Sequence, residues 1–227
     1  MAVRVVLGEI SAKDATTRAA IPSAGLPRWP PFERVAETIA TPRRRFPLHR
    51  HEGCEVLTYV IEGSGSYEFG TDPPRTLSAG ATHLLTASTN VAHAINPGKG
   101  QTIRWFAVVA ALPPGSTAPV RVQSTHVRPG PGSTDGTAVR RLVGPGSGIE
   151  SSVGIECELI EFPSNGTTFR RVGHDRIAIA YTLSGRGSVD NQTVDAGEAA
   201  LVDDAAGVAI GGRAGLRLML TTAPRSA

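Results

Sequence analysis

The chain has 227 residues, enough for one large domain or two small ones, each with its own hydrophobic core. Its net charge of +3 comes from 23 basic and 20 acidic residues spread along the sequence, and only 5% of the residues are aromatic. We therefore expect no nucleic-acid partner, because such proteins need concentrated basic charge or stacking aromatic rings. The 26 glycines and 17 prolines favour short strands and turns over long helices.

Cysteine usage and hydropathy indicate a soluble, cytoplasmic protein. Cys54 and Cys157 lie in no metal-type spacing, and two cysteines cannot build a disulfide framework. The first residues, MAVRVVLGEISAKDATTR, lack the apolar core of a signal peptide, and no segment approaches the roughly 20 apolar residues that span a bilayer. We expect no membrane association and a monomer or homodimer.

Short strand-like segments occur in two groups along the chain. The first group contains EVLTYVIEG, ATHLLTA and TIRWFAVVA, and the second contains GIECELIEF, DRIAIAYTL, EAALVDD and LRLMLTT. Each segment is rich in β-branched or large apolar residues and is bounded by turn-forming residues, as strands in sandwiches and small barrels are. The sequence therefore predicts an all-β fold.

The two groups form a weak internal repeat. YVIEGSGSY from Tyr59 resembles YTLSGRGSV from Tyr181, and TLSAG from Thr76 resembles TVDAG from Thr193. A repeated order of strand, glycine hairpin and strand is typical of a double-stranded β-helix barrel, so we predict two such barrels in tandem. The predicted boundaries are 1–120 for the first barrel, 121–148 for a Pro/Gly-rich linker that is mostly loop, and 149–227 for a degenerate second barrel.

Three histidines of the first half form a candidate metal site. Side chains alternate along a strand, so His49 and His51 project to one side, and Glu55 has the same parity if no bulge intervenes. A barrel can bring His93 beside them. Three neutral imidazoles with open positions are typical of catalytic sites for iron, nickel, manganese, zinc or copper. The alternative is an exposed, polar strand end.

The repeat provides an internal control for these residues. A shift of 122 residues places Arg171, Gly173 and Ile177 opposite His49, His51 and Glu55, and a shift of 117 places Ile210 opposite His93. The second half keeps the barrel pattern without any of these candidate ligands. We infer that the histidines serve something other than the fold.

The first half resembles the pirin family, whose members have two barrels and belong to the cupin superfamily. PPFERVAETIATPRRRFPLHRHEGCEVLTYVIEG is similar to the family's D-P-F and F-P-D-H-P-H-R-G-F-E-T-V-T-Y pattern, and LSAGATHLLTASTNVAHAINP is similar to its P-G-D-x-Q-W-M-T-A-G-R-G-x-x-H-x-E-x-P. The resemblance covers roughly residues 30–112. It implies one divalent transition metal, usually iron, on His49, His51, His93 and a glutamate two residues later.

Residue 95, the position of that glutamate, is an isoleucine in this chain. An isoleucine cannot bind a metal and removes one negative charge from the site. Glu55 is then a candidate fourth ligand or catalytic acid/base, and the alternative is that its carboxylate only orients a histidine ring. Leu48, Cys54 and the segment STN also depart from the pirin pattern.

Three further residues are candidates to line a substrate pocket. Tyr59 shares the strand parity of Glu55, His83 stands where the pirin pattern has glutamine, and Trp105 lies in a strand of the same barrel. The alternatives are core packing for Tyr59, a surface position for His83 and a wall position for Trp105. Cys54 has no recognisable base partner and is expected to pack in the core.

We consider three functions for a small-molecule site of this kind. Some pirin relatives resemble quercetinases, which implies a metal-dependent dioxygenase that acts on an enolic or aromatic molecule. A cyclase or isomerase of a polyketide-like substrate, with the metal as Lewis acid or absent, is the second. The third is a metal-dependent regulatory binding protein, as pirin itself suggests. We favour an enzyme.

Overall fold

The structure is a computed structural model that describes residues 2–6, 8–12, 14–23, 26–126 and 136–225. Every regular element in these ranges is a β-strand, which confirms the all-β prediction. The described ranges thus contain no helix that is long and apolar enough to cross a membrane. The chain divides into two compact units, one of Gly8–Val127 and one that combines Met1–Leu7 with Arg128–Ala227.

The N-terminal unit contains two antiparallel sheets that share one long strand, Cys54–Phe69. Its strands are β2 (Gly8–Ala12), β3 (Ala15–Ile21), β4 (Phe32–Ala40), β5 (His49–His51), β6 (Cys54–Phe69), β7 (Arg75–Ser78), β8 (Ala81–Ala87), β9 (Val91–Pro97), β10 (Ile103–Ala111) and β11 (Arg121–His126). The larger sheet has the order β11-β8-β6-β10-β4-β3-β2, and the smaller one pairs β5 with β9, β9 with β6, and β6 with β7.

The C-terminal unit also contains two antiparallel sheets. Its strands are β1 (Ala2–Val6), β12 (Ala138–Val143), β13 (Glu156–Glu161), β14 (Gly166–Arg171), β15 (Arg176–Ser184), β16 (Arg186–Val189), β17 (Gln192–Asp195), β18 (Glu198–Val202), β19 (Gly207–Gly212) and β20 (Arg217–Pro224). The sheet orders are β1-β18-β15-β20-β13-β12 and β14-β19-β16-β17.

The interior of each unit is apolar and follows strand alternation. In the N-terminal unit, residues 54, 56 and 60 of β6 and residues 103, 105, 107 and 109 of β10 lie on the same strand faces and join the internal clusters. In the C-terminal unit, an internal cluster is built from valine, isoleucine, leucine and alanine of seven strands together with Phe162, Val172 and Leu216. β-Branched and aliphatic residues therefore both form the strands and fill the interior.

Two segments differ from the sequence-based boundaries. Strand β1 pairs with β18 along its whole length, so residues 2–6 belong to the C-terminal unit and not to the first barrel. Strands β11 and β12 lie within 121–148, which the sequence predicts to be mostly loop, and β11 pairs with β8. Residues 127–135 of this predicted linker lie outside the described residues. Strand pairing between distant segments leaves no local signal in composition, which explains both differences.

Strand register corrects the residue equivalences of the internal repeat. Tyr67 pairs with Ile95 in the first unit, and Val189, the repeat partner of Tyr67, pairs with Ile210. Ile210 therefore corresponds to Ile95, and Val208 corresponds to His93.

Strand β14 extends the same register to the other two histidines. Arg170 pairs with Val208 as His49 pairs with His93, so Arg170 is the counterpart of His49. The N–H of Val172 donates to the carbonyl of Ala206, which makes Val172 the counterpart of His51. The alignment to Arg171, Gly173 and Ile210 is thus wrong in detail, while the absence of histidine from these positions stands.

Candidate metal centre

Strands β5 and β9 bring three histidines to one place. His49 pairs directly with His93, and His51 lies two residues further along β5 on the same face. One ligand nitrogen from each of the three rings lies within 4.8 Å of the others. The ring centroids are 4.5 Å apart for His49 and His93, 4.8 Å for His51 and His93, and 5.1 Å for His49 and His51. We call these three residues the histidine cluster.

The histidine cluster has the chemistry that a metal ion requires. Nε2 of His51 and both ring nitrogens of His93 are buried without a hydrogen-bond partner among the described residues, although buried polar atoms are normally paired. Burial and the two neighbouring histidines lower the pKa of His93 to about 3, and burial followed by His49 and Arg34 lowers that of His51. These imidazoles are therefore neutral near pH 7, which is the form that binds a metal. The residues present fit a mononuclear transition metal.

The histidine cluster lies in a cavity of about 330 Å³, which we call the histidine cavity. Its remaining walls are mostly apolar or aromatic, with three hydroxyl groups, one each from β3, β4 and β6, and one cation: Thr17, Arg34, Thr38, Phe46, Val56, Thr58, Ile95, Trp105, Ala107 and Val109. A mostly apolar pocket with a few polar groups is typical of sites for small organic molecules. No carboxylate occurs among the described residues that line it.

The structure does not bring Glu55 into the histidine cluster. The chain turns at Gly53, whose φ of +66° interrupts the alternation between β5 and β6, so that the predicted parity of Glu55 is wrong. Val56 and Thr58 line the histidine cavity, while Glu55 lies on the opposite face of β6, fully buried, and accepts a 2.8 Å hydrogen bond from Thr86 Oγ1. Its predicted roles as ligand and acid/base group are not compatible with this position.

Cys54 takes the position beside the histidines that Glu55 was expected to have. Its Sγ lies 3.7 Å from His51 Nδ1, and it packs with Val56 and Val109 of the cavity wall. Burial and the carboxylate of Glu33 raise the pKa of the thiol to about 11, so the sulfur is protonated near pH 7 and is a poor ligand in that form. The expected packing role agrees with its buried position. Its proximity to His51 was missed, because the turn at Gly53 is not evident from spacing.

The three predicted pocket residues have different positions. Trp105 lines the histidine cavity and contacts Phe46 edge-on, with ring centroids 5.6 Å apart. Tyr59 is buried on the opposite face of β6, with Glu55, and does not line the cavity. His83 points to the inner side of its sheet but lies behind Tyr67, on which it stacks at 5.0 Å.

Ile95 and Arg34 are the residues that distinguish this cavity. Ile95 lines it at 6% exposure, as expected for a residue two positions after His93 on the same strand face. Arg34, on β4, was not identified from the sequence, and its guanidinium has no ion-pair partner among the described residues. Arg34 and Thr38 lie on the same face of β4, because side chains alternate along a strand. This alternation would have placed Arg34 in the cavity if the pairing of β4 with β10 had been known.

Comparisons with known proteins agree with this fold. No family model matches the chain. Residues of the chain are 28% identical over 75 residues to a Pasteurella multocida protein that is provisionally named quercetin 2,3-dioxygenase, and 33% identical over 67 residues to pirin-like protein 2 of Arabidopsis thaliana. These matches span 33% and 30% of this chain, and only 32% and 21% of the two relatives.

A solved structure extends the likeness to the whole chain. The crystal structure of the bacterial pirin YhhW from Escherichia coli, in complex with nickel(II), matches with a TM-score of 0.85 and 13% identity and covers 100% of both chains. This structural match shows the fold, and the two sequence matches add the pirin and quercetinase relationship. The chain thus has the all-β, two-barrel cupin fold of the bacterial pirin, and part of it is similar in sequence to a pirin-like protein and to a protein provisionally named quercetin 2,3-dioxygenase.

Proposed function

We propose that this protein is a metal-dependent dioxygenase of quercetinase type, which acts on a small enolic or aromatic molecule in the histidine cavity. The observation that carries the proposal is the convergence of three histidines on one mostly apolar cavity, where His51 and His93 have buried ring nitrogens without a hydrogen-bond partner among the described residues. The relationship to a protein provisionally named quercetin 2,3-dioxygenase supports the reaction class. The proposal includes one divalent transition metal per chain, with iron first and nickel, manganese, zinc or copper as alternatives.

The histidine cluster would hold this metal through three nitrogens and leave positions open. The bound metal would supply a Lewis-acid and redox centre at which an ionised hydroxyl group and dioxygen meet. Trp105 and Phe46 offer a broad aromatic wall for a planar ring, and Val56 and Val109 exclude water from the reacting atoms. The residues thus serve mainly to bind, orient and desolvate the substrate.

Arg34 gives the cavity a preference for an ionised substrate. Its guanidinium is charged at every physiological pH, and it faces the cavity without a competing carboxylate. A positive charge here lowers the pKa of a nearby enol or phenol, which compensates for the lack of a carboxylate base. We therefore infer that the substrate carries a hydroxyl group that ionises near neutral pH.

A second candidate is a cyclase or isomerase that uses the metal only as a Lewis acid. The observation in its favour is Ile95, which stands where the pirin pattern has a glutamate and leaves the site without an anionic ligand. The same cavity and the same three histidines would serve either reaction, so dioxygen consumption separates the two.

The experiment measures metal content and dioxygen uptake on the same preparation. Protein supplemented with each metal in turn should retain about one ion per chain after dialysis, and quercetin should then drive dioxygen uptake at an oxygen electrode. A His49→Ala, His51→Ala double variant should lose the bound metal and the dioxygen uptake, and it should keep its far-ultraviolet circular dichroism spectrum. Retention of metal without uptake on a broad panel of enols contradicts the dioxygenase and favours the Lewis-acid reaction.

A further inference from the structure

The C-terminal unit has a cavity at the positions that correspond to the histidine cavity. It has a volume of about 470 Å³ and is lined by residues of β12, β13, β14, β15 and β20 and by Val172. Strand register makes Glu156 the counterpart of Arg34, and Leu220 and Thr222 the counterparts of Ala107 and Val109. The second barrel has therefore kept the cavity and replaced its chemistry. We call it the arginine cavity.

Guanidinium groups dominate this lining. Two glutamates, Glu156 and Glu158, are outnumbered by four arginines: Arg141, Arg170, Arg171 and Arg176. Arginine keeps its charge at any physiological pH, so the lining carries two positive charges in excess. A concave, partly apolar surface focuses such a field towards its centre.

Glu158 fixes two of the guanidinium groups. Its Oε1 accepts from Arg141 Nη2 at 2.9 Å and from Arg170 Nη2 at 2.6 Å, and its Oε2 accepts from Arg170 Nε at 2.9 Å. One carboxylate therefore orients two cations and neutralises only one of them. The donors that it leaves unused are held in place, which lowers the entropy cost of binding an anion.

Arg171 and Phe169 complete a site for an organic anion. The exposed guanidinium of Arg171 has no hydrogen-bond or ion-pair partner among the described residues. Phe169 lines the same cavity with 61% of its surface exposed, and its ring lies over Gly207. An exposed aromatic ring beside an unpaired guanidinium group fits a ligand with a planar apolar part and an acidic group.

We propose that the arginine cavity binds a small organic anion that carries a phosphate or carboxylate group on a planar apolar moiety. The proposal does not rest on the function proposed for the histidine cavity, because the two cavities share no residue. Its physical basis is the excess of arginine over glutamate in the lining of this cavity. Val172 and Val208, the counterparts of His51 and His93, are packed into the apolar interior.

Calorimetric titration of the full chain tests the proposal, with phenyl phosphate, benzoate, inorganic phosphate and phenol as probes. At low salt, phenyl phosphate or benzoate should bind at one saturable site, and its affinity should fall as salt is added. Phenol should not bind. The two acids distinguish a phosphate ligand from a carboxylate ligand. Phe169→Ala should weaken the binding of phenyl phosphate more than that of inorganic phosphate, since only phenyl phosphate has a ring that can stack on Phe169.

Variants assign the binding to one barrel. Arg171→Gln should weaken the binding of the acidic probe at least about tenfold, because it removes a cation from the cavity. The variant should keep its fold, since this guanidinium is solvent-exposed and has no partner among the described residues. Arg213→Gln, at an exposed arginine of the same unit outside the cavity, is the matched control and should bind as the wild type does. Absence of saturable binding up to about 10 mM would overturn the proposal. So would binding that survives Arg171→Gln and disappears in Arg34→Gln, since it would then belong to the histidine cavity.

Discussion

His49 on β5 and His93 on β9 face each other across an antiparallel strand pair, with ring centroids 4.5 Å apart. Their separation is set by backbone hydrogen bonds between strands and not by a loop. His51, two residues along β5, adds the third nitrogen from the same face. A site on paired strands is held close to its binding geometry before a metal arrives, so little rearrangement is needed on binding.

Ile95→Glu should tighten metal binding at least tenfold relative to Ile95→Gln, a difference of about 1.4 kcal/mol. Residue 95 lies in the histidine cavity, on the strand face of His93, so a carboxylate there can contribute an oxygen ligand and a negative charge. Competition with a chromophoric chelator measures the affinity. The glutamine variant matches the side chain in size and lacks only the charge.

Glu55→Gln should leave metal stoichiometry unchanged and reduce stability by about 1–3 kcal/mol. The carboxylate lies on the face of β6 away from the histidine cluster and accepts a buried hydrogen bond from Thr86. Denaturant unfolding measures the cost, and metal analysis of the same preparation checks the site. Loss of the metal in a folded variant would mean that Glu55 reaches the cluster after all.

The sequence predicts the histidine cluster because its evidence is local. The single-residue spacing of His49 and His51 defines a strand face, and the resemblance to the pirin family adds His93. The position of Glu55 could not be predicted in this way, because Gly53 has a left-handed backbone conformation between β5 and β6. The residues of β6 therefore do not continue the alternation of side chains that His49 and His51 define on β5. Ile95 lies on the predicted face because no such turn separates it from His93.

Features that depend on long-range pairing were not accessible from the sequence. Arg34 enters the histidine cavity through the register of β4 against β10, and nothing near it in sequence indicates a site. The repeat alignment failed at Arg170 for a related reason. Between Val172, the counterpart of His51, and β15 there are three residues, 173–175, where two residues, 52–53, separate His51 from β6, so a single shift cannot align both sides.

Glu37→Gln should cost about 3 kcal/mol of unfolding free energy. Glu37 is buried at 2% exposure, and its Oε1 accepts from Arg104 Nε at 2.5 Å, so the variant leaves a largely buried guanidinium without its main counter-charge. Glu62→Gln is the matched control on the same arginine. Its side chain is 61% exposed, and exposed pairs contribute at most about 1 kcal/mol. Equal effects of the two substitutions in urea unfolding would contradict this assignment.

His83 should make the protein less stable as the pH falls from 7 to 5. Burial, and to a lesser extent Arg75, lower the pKa of His83 to about 4 in the folded state, where it stacks on Tyr67 and Nδ1 lies 2.8 Å from Ser124 Oγ. The unfolded chain takes up this proton near pH 6.5, while the folded chain stays unprotonated until about pH 4. Stability contributed by the neutral ring is therefore complete above pH 6.5 and is lost progressively towards pH 4.

At pH 5 the expected loss from this residue is about 2 kcal/mol. His83→Gln should remove that part of the pH dependence, whatever its effect on stability at pH 7, because glutamine does not titrate. His126→Gln, at an exposed histidine on β11, is the control and should leave the slope unchanged. Urea unfolding at a series of pH values measures the pH dependence of stability for the wild type and for each variant. If the wild type and His83→Gln lose stability in parallel between pH 7 and 5, then His83 gains its proton in the folded state as readily as in the unfolded one, and its ring is not held neutral by burial.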